Sequence, residues 1–332
     1  MQTMSLVGAA SFLPETIVDN DHFMKASGVK RHPMFRGTKL RRHMQPTESA
    51  TTMAVAAISS LGEKLNLDLA KDVDVLITNV TIPDLPFVGC GAAIVGELGL
   101  NPKTVYDLQN GGCVSFIFMM ELAQMILNST DARSVVICNL QTAAGRVFSL
   151  EDNLKLPQSS VPGDGCGVAY FVKDDSNPIQ SIVTRTHGEY ANDMQVITGD
   201  GRSWWQPGST AFNIDFCEEK LGSIVSRGNK LVPEVMYEAI QKADIKPEDI
   251  DTLITNQPNR IFLRNWREAI QLDADKHINT LEDHGNMFGS AIPISLALGL
   301  DTGKIPKGSK VLLSGFSHAG DYSAASVLTW NG

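Results

Sequence analysis

The strongest constraint on this chain is that it repeats itself. Residues 73–79, Val-Asp-Val-Leu-Ile-Thr-Asn, are echoed by residues 250–256, Ile-Asp-Thr-Leu-Ile-Thr-Asn. Each copy follows a helical segment, 53–65 in one case and 232–243 in the other. Each is a short aliphatic run entered through an acidic residue, which suits a parallel strand buried on both faces. At nearly the same offset, residues 134–138 fall on 310–314, and the helix after Cys113 falls on 290–296. Three registers agreeing at one offset favour duplication over chance likeness between aliphatic strands. Two copies of a helix–strand–helix–strand plan predict a duplicated α/β protein. The halves divide as residues 1–172, which carry Cys113, and residues 173–332.

The stretch Asn110-Gly111-Gly112-Cys113 sits between two different patterns. Residues 104–108 alternate as a strand does, and residues 116–127 have the length and apolar density of a buried helix. The glycines permit a sharp turn, so Cys113 stands where a strand gives way to a helix N-terminus. Unpaired N–H groups and the positive dipole end favour a thiolate there, and neighbouring N–H groups suit an oxyanion. The other reading is a small buried cysteine on a helix face.

Composition narrows the classes. A net charge of −9 argues against nucleic-acid or membrane-surface binding. No apolar run reaches the ~20 residues of a membrane span, and the N-terminus lacks a signal-peptide pattern. Five scattered cysteines without C-x-x-C pairs point away from disulfides and metal, and toward a reducing cytoplasm. Against the acidic background, Lys30, Arg31, Arg36, Lys39, Arg41 and Arg42 form a basic cluster. It reads either as an anion site for a phosphorylated carrier or cofactor, or as a solvated loop. The glycine turn at Gly163-Asp164-Gly165 feeds a strand, so it is no dinucleotide fingerprint. The segment 199–209, with Trp204 and Trp205, reads as a loop insertion near a pocket or interface.

Several of these motifs, taken in order, resemble the ketoacyl-ACP synthase III branch of the thiolase fold. They are the start Gly8-Ala9-Ala10-Ser11-Phe12-Leu13-Pro14, the basic segment from Arg36 to Arg42, and the Cys113 elbow. Gly163-Asp164-Gly165, Asn256-Gln257-Pro258-Asn259, His284-Gly285-Asn286 and the end from Phe316 to Ala325 complete the set. The resemblance spans nearly the full length. It implies a duplicated five-layered αβαβα sandwich, a homodimer, and a loop near Phe87 reaching toward the partner's acyl pocket. It also implies a Cys–His–Asn triad, with Cys113 on the cysteine and Asn286 on the asparagine. Asn256 occupies the histidine position. An amide can donate a hydrogen bond but carries neither a proton for transfer nor a charge. Loss of one oxyanion donor typically costs ~3 kcal/mol.

Two histidines stand in segments that the resemblance sets beside the elbow, His284 and His318. The favoured constellation is Cys113 with His284 as base, oriented by Asp321, and His318 is the alternative base. On the donor side the resemblance implies Arg36, His32, Arg41, Asn259 and Arg260, with no tightly bound cofactor and no metal. The expected activity is acyl transfer: Cys113 takes an acyl group from CoA or an acyl carrier protein and passes it to oxygen, nitrogen or an activated carbon of a small-molecule acceptor, in specialised metabolism. Decarboxylative condensation with a malonyl thioester is the runner-up. A catalytically weak partner subunit of an active homologue is the third reading.

Overall fold

The structure, a computed structural model, describes residues 4–30, 32–109, 111–208 and 211–332. Two five-stranded sheets share one plan. The first contains β1 (Met4–Phe12), β2 (Val75–Val80), β3 (Thr104–Leu108), β4 (Ser134–Gln141) and β5 (Gly165–Lys173), in the order β1-β5-β4-β2-β3. The second contains β6 (Ile179–Thr186), β7 (Thr252–Thr255), β8 (His277–Ile278), β9 (Ser309–Ser317) and β10 (Tyr322–Trp330), in the order β6-β10-β9-β7-β8. Strand for strand, the second order is the first. In each sheet three strands run parallel and the other two are antiparallel to their neighbours. The repeat read from the sequence is therefore a repeat of topology.

Side-chain alternation builds the layers. On β4, Val136, Cys138 and Leu140 face outward onto α1 (Ala50–Leu65) and α2 (Gly91–Leu98). Val135 and Ile137 face inward onto α3 (Ser115–Ser129) and α6 (Ala291–Asp301). On β9, Val311 and Leu313 face that same central layer, while Leu312 and Phe316 face α4 (Leu221–Lys242) and α5 (Arg260–Ala269). The result is an αβαβα sandwich. The segment Gly112–Ser129 is long and apolar enough to cross a membrane. Here it contains the central helix α3, which contributes Phe116, Ile117, Met120 and Ala123 to the core between the sheets.

The tryptophans expected in a loop lie between the short strands Met194–Thr198 and Phe212–Phe216, and both are exposed. Ser209, the end of that expected segment, lies outside the described residues, as do Arg31 of the basic cluster and Asn110 of the elbow.

Candidate active site

The elbow is shaped by two consecutive left-handed glycines, Gly111 at φ 83° and Gly112 at φ 44°. Such backbone disfavours any residue with a Cβ. Gly112 has a second reason to be glycine. A Cβ there would stand 2.6 Å from Nε2 of His318 and 3.0 Å from Oγ of Ser317. A one-turn 3-10 segment carries Gly112, Cys113 and Val114 into α3, and no side chain caps the helix. Backbone carbonyls of the elbow take the first N–H groups instead: Val114 donates to Gly111 at 2.9 Å and Ser115 to Gly112.

His318 reaches this place from the turn between β9 and β10. Its own backbone is left-handed, at φ 47°, uncommon for a residue with a side chain. Several contacts hold the turn. The Gly320 N–H donates to the Ser317 carbonyl at 2.8 Å, and the His187 N–H donates to the Asp321 carbonyl at 2.7 Å. The Arg227 guanidinium donates to the Ala319 carbonyl, pairs with Asp193 at 2.9 Å and lies 3.5 Å over the Tyr190 ring. Asp321 is buried, and its two oxygens lie 2.9 and 3.1 Å from Nδ1 of His318. A carboxylate only accepts, so Nδ1 carries the proton and Nε2 presents a lone pair beside Gly112.

This corrects the expected pairing of Asp321 with His284. Asp321 and His318 are three residues apart on one turn, whereas His284 ends the short helix Leu281–His284 and no bond joins it to Asp321 among the described residues. The charges acting on His284 are those of Asp283 and Arg42, and burial holds its imidazole below the usual histidine range. Among the described residues its Nδ1 has no partner, and no hydrogen bond joins its ring to the elbow. Its carbonyl lies 2.0 Å from where a Cβ on Gly163 would stand, so His284 packs on the Gly163-Asp164-Gly165 turn. That turn is a structural tie. Buried Asp164 accepts from the N–H groups of Met44, Ala144 and Gly145 at 2.9, 2.8 and 2.7 Å.

The two asparagines differ in freedom. Asn256, at the end of β7, uses its amide as a backbone mimic against β9. Its Nδ2 donates to the Phe316 carbonyl at 2.9 Å, and its Oδ1 accepts from the Phe316 N–H at 3.3 Å. Gly315 admits it, since a Cβ there would be 2.1 Å from Oδ1. Asn286 is held by backbone bonds to Val161 and Gly163, and its Oδ1 accepts from the Phe288 N–H at 3.1 Å. Next to it, Gly289 lies against the elbow; a Cβ there would meet the Gly112 carbonyl at 2.8 Å.

Cys113 is not the low-pKa thiol that a helix N-terminus suggests. Burial pushes its thiol up to about 12, and the Asp321 carboxylate adds to this. The backbone N–H groups of His318 and of Cys113 itself act in the opposite direction but do not win. Cys113 is thus a neutral thiol at pH 7 and needs a base to become a nucleophile.

The basic cluster separates into different roles. Arg41 is 0% exposed. It donates to Oδ1 of Asn20 and to the carbonyls of Ser160, Lys39 and Val18, and its guanidinium lies 4.8 Å from the Phe23 ring centroid. Burial lowers it to about 10, so it is still charged at neutral pH. A residue so enclosed cannot meet a donor in solution, which corrects its expected binding role. Asn259 caps α5, accepting from the Ile261 and Phe262 N–H groups. His32 caps a short 3-10 turn through Nδ1, which accepts from the Met34 N–H at 3.3 Å. Lys39 and Arg260 share Glu282, at 2.5 and 3.0 Å. Arg36 is exposed at the end of that turn. Replacing Arg36 with Ala is therefore expected to raise the donor KM in low salt, with the effect fading as salt rises. Steady-state kinetics at two ionic strengths checks this, and an equal KM in low salt would remove Arg36 from the donor path.

Comparison with known proteins agrees with this architecture. Residues 240–330 match the family model of the 3-oxoacyl-[acyl-carrier-protein] synthase III C terminal. The chain is 24% identical over 329 residues to a β-ketoacyl-[acyl-carrier-protein] synthase III of Clostridioides difficile, covering 98% of each. It is 25% identical over 333 residues to the Neisseria gonorrhoeae protein of the same name, covering 99% of each. Among solved structures, the synthase III of Thermus thermophilus superposes with a TM-score of 0.85 at 24% identity, covering 99% of both chains. The priming β-ketosynthase of the R1128 polyketide pathway gives 0.87 at 20% identity, covering 99% of this chain and 97% of that one.

Proposed function

We propose that the chain is a member of the ketoacyl-ACP synthase III-like branch of the thiolase superfamily, to which it is similar, and that it is an acyltransferase working through Cys113, His318 and Asp321. The observation that carries the reading is the His318–Asp321 pair. It turns the imidazole Nε2 to Gly112, next in sequence to a cysteine whose thiol is pushed up to about 12. Nε2 of His318 takes the Cys113 proton as sulfur attacks the thioester carbonyl of an acyl-CoA or acyl carrier protein. The bond to the donor sulfur breaks, and the donor leaves as a thiol with that proton. In the second half, His318 takes a proton from an acceptor O–H or N–H, the acceptor displaces Cys113 from the acyl carbon, and the proton passes from His318 to the departing Cys113 sulfur. Asp321 holds the tautomer and stabilises the imidazolium in both steps. The N–H groups of Cys113 and His318 are the donors nearest the sulfur, suited to the carbonyl oxygen as charge develops.

Asn256 argues for transfer over decarboxylative condensation. Its amide is engaged by Phe316, so it cannot contribute what a triad histidine does. The test is intact-mass spectrometry after incubation with acyl-CoA or acyl carrier protein, followed by peptide mapping. An increase of one acyl group on the Cys113 peptide is expected, with release when an alcohol or amine acceptor is added. Release only with a malonyl thioester, together with CO2, would establish condensation instead; no adduct at all would establish the partner-subunit reading.

The working unit in this reading is a homodimer. Phe87 is 98% exposed, and Leu85 and Val88 beside it are exposed too, an apolar tip that the described residues leave uncovered. Light scattering should return twice the 36.0 kDa of one chain, and a monomer would refute the assembly.

A further inference from the structure

At the ends of β4 and β9 both sheets present buried polar side chains that have no partner among the described residues. The alternation that turns Val135 and Ile137 toward the central layer continues to Asn139 and Gln141 at the end of β4. On β9 it turns Val311 and Leu313 inward and continues to Gly315 and Ser317. The repeat thus sets Gln141 and Ser317 at matching strand ends, one from each half; on the β4 side it is Asn139, on the same face as Gln141, that lies against the elbow, near where a Cβ on Gly289 would meet the Gly112 carbonyl. Gln141 is 0% exposed, and neither its amide nitrogen nor its amide oxygen has a partner. Ser317 is 1% exposed with an unpartnered Oγ, which is aimed at Gly112. Asn139 donates to Oγ of Ser115 at 2.7 Å, yet its own Oδ1 is unpartnered.

Buried polar groups are nearly always paired, because leaving one unpaired forfeits its hydration. A core position needing only volume would hold a Leu or Met. Asn256, at the end of β7 beside β9, shows how this fold satisfies a buried amide when its role is structural. Gln141 offers both a donor and an acceptor, and Ser317 offers the same. We infer that Gln141, with Ser317, holds an oxygen on the chain of the acyl group carried by Cys113, so that the substrate class is hydroxy- or oxo-acyl thioesters rather than plain alkyl ones. The inference rests on the acyl-transfer reading above, and it adds a specificity-determining residue to it. A hydroxyl satisfies both ends of the Gln141 amide; an oxo group accepts from Nε2 and from the Ser317 hydroxyl. A plain alkyl chain leaves them all unpaired, which is how a polar site rejects an apolar analogue.

The test compares butyryl, 3-hydroxybutyryl and acetoacetyl groups of equal carbon number. Each is presented on CoA and on a phosphopantetheinylated carrier protein, and loading onto Cys113 is timed by intact mass. The expected result is that one of the oxygenated groups loads at least about tenfold faster than butyryl. In Gln141→Leu that ratio should collapse toward one, and in Ser317→Ala it should fall by less. Gln141→Met, close in length and without the amide, repeats the test, with melting by circular dichroism to establish that each variant is folded. If neither glutamine variant folds, the wild-type ratio decides. Butyryl loading as fast as the oxygenated groups would overturn the inference and assign the cluster to bound water. A ratio that survives folded Gln141→Leu would overturn it equally. Loading without preference defeats this inference alone, whereas no loading from any donor defeats the acyl-transfer reading with it.

Discussion

Replacing Cys113 with Ala should leave the chain unable to carry an acyl group, and His318→Ala should slow loading by about a hundredfold to ten-thousandfold. The two effects have one cause. A thiol pushed up to about 12 holds its proton across the whole working range of pH. Loading therefore depends on a base within reach, and Nε2 of His318 is presented at Gly112. Asp321→Asn should also slow both half-reactions, because the amide no longer selects the tautomer or balances the imidazolium. His284→Ala should cost far less. Its ring lies among Arg42, Asp283 and the Gly163 turn rather than with Asp321. Stopped-flow or quenched loading followed by intact mass ranks the variants. Alkylation gives an independent readout: at pH 8 iodoacetamide should modify wild-type Cys113 more slowly than a free cysteine, since little thiolate is present. Rapid loading in His318→Ala, or a rank order with His284→Ala lowest, would return the base assignment to His284.

The second large effect is on stability. Arg41→Ala should destabilise the fold by about 3 kcal/mol or more, lowering the melting temperature by roughly 5 °C. Two terms oppose each other. Removing the guanidinium relieves the cost of burying a charge that the Asp19 carboxylate offsets by less than burial costs. Against that, Ser160 loses a donor in a buried place, Asn20 and Lys39 lose one in partly buried places, and a large side chain's volume is left empty. The second term wins because several acceptors are orphaned at once. Arg41→Lys should fall between, keeping the charge but losing the fork that reaches several acceptors. Thermal or urea unfolding measures this directly. An Arg41→Ala variant as stable as wild type would show that the segment rearranges around water. A raised donor KM with unchanged stability would restore Arg41 to the donor surface.

These two results mark where the sequence stops. Periodicity and repeat are properties of neighbours in the chain, so the strands 75–80 and 252–255, the helix after Cys113 and the duplicated plan were all legible. The elbow was legible for the same reason: a glycine pair between a strand pattern and a helix pattern is a local signal, and Cys113 stands on it. What could not be read locally is which distant side chains meet there. Asp321 was a candidate partner for either histidine. The turn between β9 and β10 decided it, since residues three apart on one turn meet without a long-range contact, and that turn carries His318 to Gly112. Burial is equally a property of the whole fold. It reversed the expected state of the Cys113 thiol, because lost hydration outweighed the N–H groups that favour the anion. It also removed Arg41 from a surface cluster to which its position in the sequence assigned it. The pairing of Gln141 with Ser317 lay in the repeat already, at the offset that relates β4 to β9. Only the packed sheets show that both are buried and that their side-chain polar atoms have no partner among the described residues.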